Sequence, residues 1–335
     1  MRKCLIFITL LLMGCGRVVE TATPTATPTP PSFDLADGFT AVLLPHQFRG
    51  PTQFFVDNDF LWVAQLNGGE GSAEGQVLQI NLTTGEETAV LENIDKPTGI
   101  ALLDNAIWVA TRDELLRAPL DDLEAVEVVL TGLPNNGRSN GTLTVTPNGT
   151  LLYEVSGRRS DPESGRLYEY DPATDQSRIV ATGLKNAYAH AFDANGRLWV
   201  TEIADGSLEG VTYPGEINLV VDGADFGWPT CYGQELTGTD CDGSRPAVKV
   251  LPENSTPTGI AVSPFSPDTL FVALWLTGEV IEVPLSFVED NARGGERSFI
   301  QNMENPQHLF AHPDGTLWVS DFATGQIWLV RESAP

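Results

Sequence analysis

The sequence predicts an all-β fold, a six-bladed β-propeller, from three observations. Short apolar strands alternate with turns rich in Gly, Asn, Asp and Pro. One unit recurs six times: a turn, an apolar strand, a polar turn, and a strand with an aromatic residue near its middle. These aromatics lie 46, 45, 46, 72 and 47 residues apart, at Trp62, Trp108, Tyr153, Trp199, Phe271 and Trp318. A period in the mid-forties with several short strands per unit is typical of propeller blades.

The N-terminus predicts export and a lipid anchor. Arg2 and Lys3 precede the apolar run Leu5–Met13, which is too short to span a bilayer. Leu12–Cys15 (LMGC) has the pattern of a bacterial lipobox, whose cysteine takes lipid after cleavage. We therefore expect a lipoprotein signal peptide over 1–14 and a lipidated Cys15, with the protein held at the cell envelope outside the cytoplasm. An ordinary secretory signal with a chance cysteine is the alternative.

A tether and one repetitive domain follow the signal. The Thr/Pro-rich run Thr21–Pro31 cannot form a core, so residues 15–32 are predicted to be an extended tether. The propeller is expected over 33–335, and no other segment is long and apolar enough to cross a membrane. The six repeats are Pro51–Ala64, Pro97–Ala110, Thr142–Val155, Ala187–Thr201, Pro257–Ala273 and Pro306–Ser320.

Three further features concern how the blades are built. The six aromatics are predicted to pack between blades, since the middle of such a strand is buried. The strand Gly38–Leu44 precedes the first repeat, and the last repeat is one strand short, so we expect the N-terminal strand to complete the sixth blade. The 72-residue interval is predicted to hold an insertion of about half a blade.

The charge balance limits the partners. Nineteen Lys and Arg face 45 Asp and Glu, a formal net charge of −26. Such a surface repels nucleic acid and anionic membranes, which excludes nucleic-acid binding and leaves the lipid anchor as the expected membrane contact. We expect a monomer that binds a small molecule.

The four cysteines have different expected fates on export. Cys4 leaves with the signal peptide and Cys15 takes lipid, so Cys231 and Cys241 remain. In an oxidising compartment this isolated pair predicts a disulfide, which would stabilise the fold by about 2–3 kcal/mol. A metal site is the weaker alternative.

Propellers bind ligands at one mouth of the central channel, on the loops that enter the inner strands. Polar side chains concentrate in five such loops: Asn135–Gly141, Gly183–Asn186, Ala204–Asn218, Glu253–Thr258 and Asn302–Pro306.

An ordered set of motifs covers nearly the whole mature chain. It comprises LADGFT (Leu35–Thr40), GLKN (Gly183–Asn186), PGEIN (Pro214–Asn218), FGWPTC (Phe226–Cys231), NSTPTG (Asn254–Gly259) and PDGTLWVSDFATGQI (Pro313–Ile327). The set resembles the soluble quinoprotein glucose/sorbosone dehydrogenases, six-bladed propellers that use pyrroloquinoline quinone (PQQ). The resemblance implies an exported propeller that oxidises a sugar or other polyol, with PQQ and calcium as cofactors.

The resemblance also implies site residues. Lys185 and Asn186 match the family's cofactor-contacting Arg-Asn pair, and Asn254 matches a histidine of its H-S-A-P motif. The family's catalytic histidine is replaced by Arg138 or Ser139. Arginine stays protonated and cannot act as a base. Glu216 is a substitute base if its loop points into the channel, and PQQ-dependent oxidation is otherwise predicted to be weak or absent.

Two other functions stay open at this point. One is a calcium-dependent lactonase of the gluconolactonase type, with Glu202, Asn186, Asn140 and Asp321 as ligands. The other is a non-catalytic propeller that binds a glycan or another ligand. The four histidines lie outside the catalytic motifs and are predicted to be structural, with His308 the best placed to reach the channel mouth. They are His46, His190, His308 and His312.

Overall fold

The computed structural model describes residues 31–72, 74–135, 140–161, 163–204, 207–208, 211–288 and 291–334. Within these ranges the regular secondary structure consists of β-strands, and no helix is long and apolar enough to cross a membrane. The signal peptide, Cys15, Arg138 and Ser139 lie outside the described residues.

Six sheets form the six predicted blades, each with four main antiparallel strands ordered from the channel outward. Two lead strands are β1 (Asp34–Leu35) and β2 (Phe39–Leu43). Blade 1 contains β3 (Pro51–Asp57), β4 (Phe60–Gln65), β5 (Gly75–Asn81) and β6 (Glu87–Ile94). Blade 2 contains β7 (Gly99–Leu103), β8 (Ala106–Ala110), β9 (Glu114–Pro119) and β10 (Glu127–Thr131). Blade 3 contains β11 (Thr144–Val145), β12 (Leu151–Val155), β13 (Arg166–Asp171) and β14 (Gln176–Thr182).

The remaining blades carry additional strands. Blade 4 contains β15 (Ala189–Phe192), β16 (Leu198–Glu202), β19 (Glu216–Val220) and β23 (Lys249–Val250). Its connections hold β17 (Ser207–Leu208), β18 (Val211–Thr212), β20 (Ala224–Asp225), β21 (Cys231–Tyr232) and β22 (Thr237–Gly238). Blade 5 contains β24 (Pro257–Val262), β25 (Thr269–Leu274), β26 (Glu279–Val288), β27 (Asn291–Gly294) and β28 (Arg297–Gln301). Blade 6 contains β29 (Pro306–Ala311), β30 (Leu317–Asp321) and β31 (Gln326–Glu332).

The N-terminal strand closes the ring as predicted. Strand β2 pairs antiparallel with β31, from Phe39 opposite Glu332 to Leu43 opposite Trp328. It supplies the fourth strand that blade 6 lacks, and β1 pairs with β28 at the outer edge of blade 5. The two ends of the domain are thereby joined in one sheet, which leaves no open break in the ring.

The repeated aromatics are packing residues, as predicted. Each lies in the second strand of its blade and is at most 5 % exposed. They enter the separate apolar clusters between blades; Trp199, for example, packs with Ile217 and Val248. The predicted structural role of these six side chains is confirmed.

The first threonine of the repeat ties neighbouring blades together. The hydroxyl of Thr52 donates to the carbonyl of Pro97 (2.7 Å), and that of Thr258 donates to Pro306 (3.1 Å). Thr142 makes the equivalent bond to the carbonyl of Tyr188 (3.1 Å). At these three positions the threonine that opens an inner strand therefore connects adjacent blades.

The 72-residue interval holds two additions to blade 4, the hairpin β17–β18 and the segment from β20 to β22. Strand β20 pairs in parallel with β14 at the outer edge of blade 3. Trp228 of the GWP motif packs where Gly157 and Gly165 lack side chains; a Cβ there would lie 2.6 and 3.1 Å from the indole. Cys231 and Cys241 form the predicted disulfide, with Cα atoms 5.3 Å apart.

Candidate functional site at the channel mouth

A cleft opens at the end of the channel where the inner strands begin. It contains about 700 Å³ of empty space, part of it open to solvent. Five blades contribute to its wall, which combines hydroxyl and amide groups, two charged side chains and three large aromatic side chains. Its lining residues are Thr52, Leu66, Glu70, Lys96, Thr98, Asn186, Tyr188, Ile203, Thr256, Thr258, Trp275, Gln307 and Phe322.

Polar side chains that cross the channel form the floor of the cleft. The amide nitrogen of Gln307 donates to the hydroxyl of Tyr188 (2.9 Å), which joins blade 6 to the entry of blade 4. Gln53 lies deeper, where its side chain bonds the backbone of Ile100 and Leu143 in two other blades. A second cavity lies at the other end of the channel, and these side chains separate the cleft from it.

Gly141 fixes the position of Tyr188 beneath the cleft. A Cβ on Gly141 would overlap the Tyr188 carbonyl oxygen and lie 2.7 Å from its Cα. Because both are backbone atoms, Gly141→Ala should destabilise the protein by about 1–3 kcal/mol through displacement of this strand. Urea denaturation would measure the loss against Gly69→Ala, where a Cβ meets no atom within 4 Å. Equal stability of the two variants would contradict the close approach.

Two polar atoms beside the cleft lack hydrogen-bond partners. The Asn186 Oδ1 and Thr98 Oγ atoms are buried and unpaired, and both side chains line the cleft. Asn186 is 6 % exposed and Thr98 is 3 % exposed. A buried polar atom without a partner costs about 1–3 kcal/mol, so such atoms are uncommon unless a ligand or water pairs with them.

A buried network holds Asn186 from behind. Its Nδ2 donates to the Ser156 hydroxyl (3.1 Å), which donates to Glu154 Oε1 (2.9 Å). Glu154 Oε2 accepts the N–H of Ala187 (3.2 Å), and Asn140 Oδ1 accepts the N–H of Ser156 (3.3 Å). Burial raises the pKa of Glu154 to about 8.

A second buried network lies beside the first. Glu202 accepts the backbone N–H of Lys185 (2.7 Å) and the Asn218 amide (3.1 Å). Glu216 accepts the N–H of Gly233 (2.6 Å) and bonds to Asn218. Burial raises the pKa of both carboxyls, and the charge of Glu202 raises the pKa of Glu216 further. These side chains brace the entry to blade 4 and are outside the cleft lining.

The structure separates the residues assigned to the cofactor by resemblance. Asn186 lines the cleft, whereas Lys185 is half-buried and outside the cleft lining, and Asn254 is exposed in a left-handed turn with φ of 58°. Glu216 is buried against Gly233, away from the cleft wall. The roles of all four stay predictions, as do those of Arg138 and Ser139 outside the described residues.

Two of the four candidate calcium ligands, Asp321 and Asn140, are engaged in other hydrogen bonds. Asp321 accepts backbone N–H groups from Glu304 (2.9 Å), Asn305 (3.1 Å) and Thr324 (2.8 Å), so it caps the loops of blade 6. The Asn140 Nδ2 donates to the carbonyl of Arg112 (3.2 Å). In the part of the chain that the structure describes, no three His, Cys, Asp or Glu side chains are grouped to hold a metal ion.

A family model described as glucose/sorbosone dehydrogenase matches residues 158–263. This protein resembles the glucose/sorbosone dehydrogenases. The match contains the GLKN, PGEIN and FGWPTC motifs, so it confirms the resemblance that those motifs indicated. The match begins after Arg138 and Glu154, so it does not include them. No curated protein sequence matches the chain.

Solved structures share the fold of this dehydrogenase-like propeller. A Trichoderma reesei protein of carbohydrate-active enzyme family AA12 is 16% identical, with a TM-score of 0.75 over 93% of this chain and all of that one. The apo soluble aldose sugar dehydrogenase of Escherichia coli is 17% identical, with a TM-score of 0.70 over 88% and 100%. The PQQ-bound aldose sugar dehydrogenase of Streptomyces coelicolor is 16% identical, with a TM-score of 0.67 over 90% and 100%.

Two histidines of the dehydrogenase-like propeller line the cavity at the other end of the channel. His190 Nε2 bonds the carbonyl of Ala187 (2.7 Å), and His308 packs edge-on against Phe54. The prediction that His308 is the histidine best placed to reach the channel mouth was therefore wrong, because its side chain lines the opposite cavity, beyond the floor of the cleft. His46 bonds the carbonyl of Gly85 (3.3 Å), and His312 pairs with Asp314 (2.7 Å).

Sequence patterns did not indicate several residues of this cleft. Lys96, Trp275 and Phe322 lie on three separate loops that only the ring closure brings together. The rings of Trp275 and Phe322 are 6.1 Å apart at the rim. Glu154 carried a usable signal: it is a carboxylate inside the otherwise apolar strand β12, and buried carboxylates need partners.

Proposed function

We propose that this protein is an exported, dehydrogenase-like propeller that binds a sugar or other polyol in the channel-mouth cleft. The observation that carries the proposal is the pair of unpartnered buried atoms, Asn186 Oδ1 and Thr98 Oγ, beside that cleft. A polyol supplies hydroxyls that donate to one and accept from the other. The family match and the sugar dehydrogenases of similar fold support this ligand class.

The rim suits the apolar face of a sugar ring. Trp275 and Phe322 contact each other at an angle of 62° and present aromatic surface to the cleft. Aromatic rings bury much area with little conformational entropy, so they add affinity where hydroxyl contacts alone add little. The cleft thus offers both an apolar wall and polar pairing groups.

The cleft residues also fit part of PQQ. Lys96 is the cation of the described lining and would hold a cofactor carboxylate, with the Thr98 hydroxyl beside it; the aromatic pair would pack on the rings. PQQ, when bound, supplies a hydride acceptor. This chain contributes a single ammonium among the described lining residues, and Glu70 opposes it there. We therefore propose weak PQQ and calcium use and weak or absent sugar oxidation.

Binding and turnover can be measured separately. We expect glucose or a related polyol to bind the purified protein in calorimetry, with affinity reduced about tenfold by Asn186→Ala. Dye reduction with added PQQ and calcium over the same sugars should stay near background. Absence of binding across the sugar panel would contradict the proposed ligand class.

Lipid anchoring belongs to the same proposal. Cys15→Ala removes the thiol that takes lipid, so the variant should move from the membrane fraction to the soluble fraction. Fractionation of cells that express the full chain would show this, with Cys4→Ala as the matched control that keeps its anchor. A variant that stays with the membranes would overturn the lipobox interpretation.

A further inference from the structure

The amide of Asn186 has a defined orientation. Its Nδ2 donates to Ser156, and its Oδ1 is buried without a partner, in a side chain that lines the cleft. An asparagine amide can turn by 180° and exchange the two atoms, so the neighbouring groups decide which end meets a ligand.

Two residues behind the cleft determine that orientation. An ionised carboxylate only accepts hydrogen bonds, so Glu154 requires the Ser156 hydroxyl to donate its single proton toward it (2.9 Å). The Ser156 oxygen then has lone pairs, and no proton, for Asn186, so the amide turns its N–H toward Ser156 (3.1 Å). The N–H of Ser156 is held by Asn140 (3.3 Å), which keeps the hydroxyl in place.

We propose that Glu154 and Ser156 are positioning residues that set the polarity of the cleft, so that while Glu154 is ionised Asn186 offers a hydrogen-bond acceptor and selects a hydroxyl over a carboxylate. This inference rests on the proposed binding of a polyol in the cleft. A sugar hydroxyl can donate to the Asn186 oxygen, whereas the carboxylate of a sugar acid is repelled by it.

The hydrogen bonds that link Glu154, Ser156 and Asn186 form a relay, and their direction reverses when Glu154 gains a proton. Glu154 accepts the backbone N–H groups of Ala187 and Gly141, and its Oε2 is the atom bonded to Ala187. We therefore assign the gained proton to Oε1, which faces Ser156 and donates to it. Ser156 then donates to Asn186, whose amide turns and offers N–H to the cleft. Glu202, at the end of β16, and the Tyr188 hydroxyl are the described titratable groups that interact electrostatically with Glu154. Glu154→Gln reproduces the protonated state, since its carbonyl pairs with Ala187 and its NH₂ with Ser156.

The test compares glucose with glucuronate, which share a ring and differ in one carboxylate. Calorimetry at pH 9 should show that the wild type prefers glucose. In Glu154→Gln the affinity for glucuronate relative to glucose should rise about ten- to a hundredfold, the range for a hydrogen bond to a charged group. Ser156→Thr should keep the wild-type ratio and Ser156→Ala should relax it. Asp193→Asn, a buried carboxyl bonded to Arg197 and Trp199, is the matched control and should leave the ratio unchanged.

A pH series gives the same information without a variant. From pH 9 to pH 6 the wild type should shift toward glucuronate, because Glu154 gains its proton, while Glu154→Gln should keep a constant ratio. The proposed hydrogen-bond relay would be overturned if the wild type binds glucose but its affinity for glucuronate relative to glucose is the same at both pH values and the same as in Glu154→Gln. That result would leave the proposed function intact. A wild type that binds neither sugar would overturn the proposed function itself.

Discussion

Replacing Arg138 by histidine should raise PQQ-dependent sugar oxidation by about 10²–10⁴-fold over a wild-type rate near background. The resemblance places residue 138 or 139 where the family carries its base. Oxidation of a sugar carbon requires that the adjacent hydroxyl lose its proton. Arginine stays protonated and serine is far too weak a base alone, whereas a histidine accepts that proton near neutral pH.

Dye reduction with added PQQ and calcium would measure the change over a sugar panel. Arg138→Lys is the matched control, because it keeps the positive charge and adds no base at neutral pH. Activity gained by the histidine variant alone would support a family scaffold whose catalytic site has decayed. Strong oxidation by the wild type would show that another group, such as Glu216, is the base.

Stability should fall as the pH rises from 6.5 to 8, by about 2 kcal/mol or more. Burial raises the pKa of Glu154 to about 8 and raises the pKa of Glu202 and Glu216, above their ordinary value of 4.5. The folded state therefore binds more protons than the unfolded state across this window, and each extra proton lowers stability by about 1.4 kcal/mol per pH unit.

Two buried histidines act below this window. Burial lowers the pKa of His190 to about 4 and that of His308 to about 3. Their contribution to the stability of the folded state is therefore complete above pH 6.5 and is lost as the pH falls below that value. The carboxyls therefore dominate the slope from pH 6.5 to 8. Chemical denaturation at several pH values would measure it, and Glu154→Gln or Glu216→Gln should reduce it. Glu332→Gln, at an exposed position, is the control. A free energy of unfolding that does not change over this pH range would contradict buried, protonated carboxyls.

The sequence by itself determined the blade count, the ring closure and the disulfide. The spacing of aromatics such as Trp62 and Trp108 reports a repeat whose apolar faces must pack on neighbouring units, and that requirement is local in the chain. The strand Gly38–Leu44 has no partner in its own repeat, and the last repeat lacks a strand. Because a sheet edge needs a partner, these two facts together predicted that the N-terminal strand completes the last blade. Cys231 and Cys241 needed only their number and spacing.

Tertiary structure alone decided the composition of the site. Asn186 was identified from the GLKN motif, but its neighbours in the cleft, Lys96 and Trp275, come from loops 90 and 89 residues away in the chain. Glu154 and Ser156 lie at the end of β12, the second strand of blade 3, and reach Asn186 at the entry of blade 4 because adjacent blades pack side by side around one axis. Hydrogen-bond direction depends on which donors and acceptors meet within about 3 Å. No spacing along the chain encodes that, so the polarity of the cleft could be read only from the folded ring.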